Sequence, residues 1–183
     1  MGVKVGESMN VGNAASGSMA DSIIRSATAG AAMNMVLTGF VSPAAWVVAR
    51  LDPKTKERGR FIVPFVLRGA FSPGDKDRWD AALRKFISAT DAEAICLVHE
   101  AWTAEVSKEE VATLMDGGLT NHPRRKEVVC FRFEDVRGTC RILIAPVEAR
   151  GPLGRKLGSF VELPDGDEEV AKLGGFFTPE ARS

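Results

Sequence analysis

The segment Ile95-Cys96-Leu97-Val98-His99-Glu100-Ala101-Trp102 constrains the fold most, because it is apolar at most positions yet carries two titratable side chains. Side chains along a strand alternate between faces, so Ile95, Leu97, His99 and Ala101 point one way and Cys96, Val98, Glu100 and Trp102 the other. Both sets need cover. Such a strand belongs in the middle of a sheet packed on two sides. His99 and Glu100 then serve opposite sides unless the strand bulges or ends there.

The chain has 183 residues, enough for one well-buried domain. Residues 1–18 are rich in Gly, Ser, Asn and Ala and read as a flexible arm. Ser18 or Asp21 caps a helix that runs to Leu37 and stops at Gly39. Its contacting stripes, Ile23, Ala27, Gly30, Ala31 and Asn34 beside Ile24, Ala27, Ala31 and Met35, are mostly small. That lets the helix lie close to its support at a cost in intrinsic stability. Residues 45–51 and 60–67 read as a hairpin around a long basic loop, 52–59, and Pro64 places the second strand at an edge or a bulge.

After the turn Ser72-Pro73-Gly74-Asp75, the residues Trp79, Leu83, Phe86 and Ile87 recur at helical spacing as far as Ala89. Beyond the opening strand, Ser107 and Glu110 have the form of a capping box for a short helix from Lys108 to Met115, ended by Gly117-Gly118. Residues 127–135 and 140–147 make a second hairpin, turning tightly at Arg137-Gly138. The remainder, 149–183, is a Gly/Pro-rich tail in which residues 160–163 add a short strand. Its acidic run 165–169 is solvated, and the Phe176-Phe177 pair docks on the body or a neighbour.

The order α-β-β-α-β-(α)-β-β predicts an α+β domain over residues 19–148, built on an antiparallel sheet of about five strands with packed helices. This order is similar to that of profilin-like and roadblock-like domains. The likeness is one of topology by analogy and carries no function.

Composition removes several function classes. Lys+Arg and Asp+Glu both number 24, so the net charge is zero and nothing attracts the whole molecule to nucleic acid or an anionic membrane. Nor does repulsion oppose self-association. Cys96, Cys130 and Cys140 are an odd set within apolar segments, which predicts free thiols in a reducing cytoplasm. With no C-x-x-C and only two histidines, neither a metal nor a cofactor is expected. Residues 26–49 carry no charge, but the most apolar part, 33–41, is too short to cross a membrane. The P-loop, G-x-G-x-x-G, G-x-S-x-G and H-E-x-x-H motifs are absent.

Leu37, Gly39 and Pro43 after the small-residue helix, Glu100-Ala101-Trp102 closing a strand, and Pro123 and Arg125 ahead of Glu127-Val128-Val129 resemble a pattern in small uncharacterised α+β proteins of bacteria and their phages. The resemblance spans roughly residues 33–147 and leaves out the arm and the tail. That family has no assigned activity. What the resemblance implies is a bacterial or viral setting, a virion location if the chain is phage-encoded, and weight on Glu100.

Glu100, flanked on its face by Val98 and Trp102, must be paired, hydrogen-bonded or protonated. The expected partner is Arg132, Arg125 or Arg141, forming an internal bridge that fixes register; an active carboxylate is the other reading. His99 reads first as a structural residue, and with His122 it completes the catalytic candidates. A Cys130 or Cys140 pairing with either histidine requires the His122 loop to fold back over the sheet. Lys54, Lys56, Arg58, Arg124, Arg125 and Lys126 are the phosphate-contact candidates, though no aromatic residues interleave them as in single-strand binders. Three functions stay open. The first is a non-catalytic interaction or assembly protein whose arm and tail reach a protein partner or another copy. The others are an enzyme of unrecognised class using Glu100 and a nucleic-acid accessory protein using the basic loops.

Overall fold

A computed structural model of the chain describes residues 3–5, 9–10, 18–67, 73–104, 122–149 and 154–163. Helix α1 (Met19–Thr38) starts where Ser18 leaves helical geometry and its Oγ accepts the Asp21 N–H at 3.1 Å. It stops where Gly39 turns left-handed at φ 78° and its N–H donates to the Met35 carbonyl. Both signals are local, so the sequence places both ends. The short strands β1 (Val3–Val5) and β2 (Met9–Asn10) precede it, within the span read as an arm.

Five long strands follow the expected order: β3 (Ala44–Leu51), β4 (Arg58–Leu67), β5 (Ala94–Thr103), β6 (Lys126–Asp135) and β7 (Cys140–Ala149). Helix α2 (Pro73–Ala89) connects β4 to β5, with Pro73 as its first residue instead of part of a preceding turn. Two short strands, β8 (Arg155–Leu157) and β9 (Val161–Glu162), come last. The sheet runs β1-β4-β3-β5-β6-β7-β8, with β2 also on β4 and β9 also on β7. All of these pairs are antiparallel. Short strands therefore extend both edges of the expected sheet. The helix expected at 108–115 and the Phe176-Phe177 pair lie outside the described residues.

Pro64 pairs across from Trp46 on β3, between the β4 positions that β2 and β1 address. The edge expectation is corrected: β4 has β3 on one side and β1 and β2 on the other, and Pro64 is tolerated there because it falls in the gap between the two short outer partners. The expected long loop after β3 is instead a compact turn. Asp52 is buried, its Oδ1 accepts the Lys54 and Thr55 N–H groups at 2.7 and 2.8 Å, and its carbonyl accepts the Lys56 N–H. An Asp at this position supplies the turn's acceptors itself.

β5 is central. It pairs with β3 from Ala94 to Val98 and with β6 along its whole length, without a register break. On one face, α1 packs Ile23, Ile24, Ala27, Ala31 and Met35 over Trp46, Cys96, Val98, Phe131 and Phe133. On the other, Leu83 and Ile87 of α2 meet Ala45, Val47, Phe65 and Ile95. The small stripe of α1 has a specific use at Gly30, where a Cβ would sit 3.1 Å from Trp46 Cη2 and closer still to Cζ2. Only glycine lets the helix approach the indole this closely.

Candidate functional site

The unbroken β5–β6 register puts Glu100 on the α1 face and His99 on the opposite one. Glu100 lies beyond the end of α1, where the chain turns from helix into β3. There it is held by two partners. Its Oε1 accepts the Val41 N–H at 2.8 Å, and the same oxygen is 4.0 Å from Arg155 Nη1 on β8.

Arg155 Nη1 donates to the Gly39 carbonyl at 2.7 Å, while Nη2 pairs with Glu127 Oε1. One guanidinium thus serves two carboxylates and the carbonyl just past α1, where positive charge is favourable. The arrangement clasps the α1–β3 connection to β5, β6 and β8.

The arginine is not among the three expected. Arg132 pairs with Glu134 at 2.7 Å on the other face, and Arg141 binds Asp21 and Glu162. Arg125 lies over the Trp102 ring, 4.6 Å from its centroid. Sequence reasoning missed Arg155 because it sits in the Gly/Pro-rich tail; the only local signal was the short apolar return at Leu157. The Ser18–Asp21–Arg141–Glu162 cluster pins the start of α1 to β7 and β9, and both carboxyls are held below their ordinary values. For Asp21 the Ser18 hydrogen bond is the main cause and Arg141 the next; for Glu162 it is the Arg141 hydrogen bond.

The histidines do not gather into a site. His99 is exposed and donates from Nδ1 to the Glu100 carbonyl at 3.1 Å, whereas His122 Nδ1 accepts the Arg124 N–H at 3.2 Å within its own turn. Register does set His99 across from Cys130, with no help from the His122 loop. Burial pushes the Cys130 thiol up, outweighing the nearby Arg132, so it is poorly prepared as a nucleophile. Cys96 is pushed up to about 12, mainly by burial. All three cysteines are free. Among the described residues no group of three or more His, Cys, Asp or Glu is placed to hold a metal, and no helix is long and apolar enough to cross a membrane.

The two basic clusters do not form one patch. Lys54, Lys56 and Arg58 lie beyond the end of β3 that faces Ala94, while Arg124, Arg125 and Lys126 lie near Thr103 at the other end of β5. That strand has 10 residues. The two ends are therefore roughly 30 Å apart, at about 3.3 Å per residue.

Among the described residues, the largest exposed apolar feature is on and just after α1. Met33 is 63% exposed, Val36 51%, Leu37 72% and, just past the helix, Phe40 49%. At 3.6 residues per turn Met33, Val36 and Leu37 fall on one stripe, opposite Ala27, Ala31 and Met35. No protein-family model, curated protein or solved structure matches the chain. Trp102, 43% exposed, lies on the same sheet face as Glu100, two residues farther along β5.

Proposed function

We propose that the chain is a non-catalytic interaction or assembly protein that self-associates through the outward stripe of α1. The observation that carries this reading is the two-sidedness of the helix. One face is spent on the sheet, and the other presents Met33, Val36 and Leu37 to solvent, with Phe40 exposed just past the helix.

Covering a side chain of this kind contributes roughly 1.5–3 kcal/mol, so leaving four uncovered is unfavourable unless something docks there. Zero net charge removes the long-range repulsion that would keep two copies apart. A stable interface buries about 1,200–2,000 Å² in total, more than these four residues supply. The stripe is therefore the anchor of a larger contact.

Glu100 fits a structural part in this account, since its carboxylate is engaged by Val41 and Arg155. The free cysteines agree with a reducing compartment, and the bacterial or phage-virion setting rests on the sequence resemblance.

The test is the solution mass across a concentration series. The expected result is a mass rising above the 19.7 kDa of one chain, and a Leu37→Asp variant that stays at one chain while its melting temperature holds. Equal association by both proteins would remove the stripe from the interface. A wild-type chain that remains monomeric throughout would remove self-association altogether.

A further inference from the structure

A second feature, far from the α1 stripe, lies where β3 ends and β4 begins. The β3–β4 register shifts between Ala49 and Leu51, so that Ala49 faces Phe61 while Leu51 faces Arg58. Arg50 and Leu51 both donate their N–H groups to the Thr90 carbonyl, at 3.0 and 3.1 Å. Such a bulge re-aims side chains, and here it turns Arg50, Arg58 and Arg60 toward a common cleft of about 480 Å³. The lip carries Asp91, whose φ of 47° is unusual for a non-glycine residue.

Glu93 organises the cleft. It is 4% exposed, its Oε2 accepts Arg50 Nε at 3.0 Å, and its Oε1 lies 2.6 Å from Arg60 Nε. Its backbone is fixed as well, the N–H on the Val48 carbonyl and the carbonyl on the Val136 N–H. This buried carboxylate, hydrogen-bonded to Arg50 Nε and in ion-pair contact with Arg60 Nε, keeps both guanidiniums at the cleft, and contacts made through Nε do not occupy the terminal Nη groups. Arg58 has no ion-pair partner among the described residues. Three guanidiniums against Glu93 and Asp91 leave a surplus positive charge, in a chain whose total is zero.

We propose that this cleft binds a small phosphate-bearing anion, with Arg50 and Arg60 as pre-set donors and Arg58 as the closing one. Guanidinium forks match the spacing of phosphate oxygens, and fixing two of them before the ligand arrives lowers the ordering cost of binding. The basic loop was legible in the sequence. Its focus on Glu93 was not, because the three elements involved are separated along the chain.

The experiment is calorimetric titration of the full chain with inorganic pyrophosphate in low-salt buffer, alongside R58A and R58K. The expected result is saturable binding at one site, weakened roughly tenfold or more in R58A and less in R58K, with all three proteins melting alike. Arg58 is exposed and has no ion pair among the described residues, so its loss leaves the fold intact. Absence of saturable binding overturns the proposal. So does affinity unchanged in R58A, or a heat matched by sodium chloride at equal ionic strength. Binding to a single-stranded oligonucleotide but not to pyrophosphate overturns it in favour of a polymer ligand.

Discussion

The carboxylate of Glu100 shows how a single residue can be legible in its need and illegible in its partner. Its place between Val98 and Trp102 required a counter-charge or a donor, and it has both. The donor is the Val41 N–H and the counter-charge is Arg155, which also holds Glu127. The two contributions are separable. Glutamine keeps an acceptor for Val41 and loses only a half-exposed charge contact, so Glu100→Gln is expected to cost less than about 1 kcal/mol. Glu100→Ala leaves the Val41 N–H without its acceptor and is expected to cost about 1–3 kcal/mol. Urea unfolding of both variants checks this. Equal losses would show that charge, not the hydrogen bond, holds the clasp.

Helix α1 is the element on which the account turns, and its two ends are tied differently. The C-terminal end is closed by Gly39 and the Glu100–Arg155 clasp, and the N-terminal end by Ser18, Asp21, Arg141 and Glu162. Asp21 is lowered from 3.8 and Glu162 from 4.5. A depressed carboxyl contributes stability that is complete above its unfolded-state value and fades as pH falls through the lower folded-state value. Stability from this cluster is therefore flat at neutral pH and declines below about pH 4. In Arg141→Met the carboxyls lose the cation that favours their ionised forms, so its denaturation midpoint should fall less steeply in acid than that of the natural chain. Parallel curves would detach the cluster from acid unfolding. The caps of α1 were readable because each depends on residues within one turn. Its outward stripe was not recognised, because residues 33–41 read as a short apolar run and the face opposite Ala27 and Ala31 emerges only once the helix is docked.

At the scale of the molecule, a sheet covered by α1 on one face and α2 on the other follows from the both-sided apolarity of β5, which needs no distant information. The edges needed it. β8 is three residues long and exists only by pairing with β7, so Arg155 gave no sign of its destination. Glu93 follows a helix as part of Asp91-Ala92-Glu93, a stretch that reads as loop until Arg50 and Arg60 are folded onto it. The assembled molecule separates its features: the arginine cleft at the β3 end of the sheet, the clasp and Trp102 at the other, and the apolar stripe along the outside of α1.

Docking of a second copy on this stripe is best tested by methionine oxidation with dilute peroxide over a range of protein concentrations, read peptide by peptide. Met33 is 63% exposed and Met35, two residues on, is fully buried, so one helix carries both the reporter and its internal reference. Met33 is expected to oxidise quickly in dilute protein and to become protected as concentration rises, while Met35 reacts slowly throughout. Met33 oxidising equally fast at every concentration, in protein shown by its mass to be associated, would contradict it.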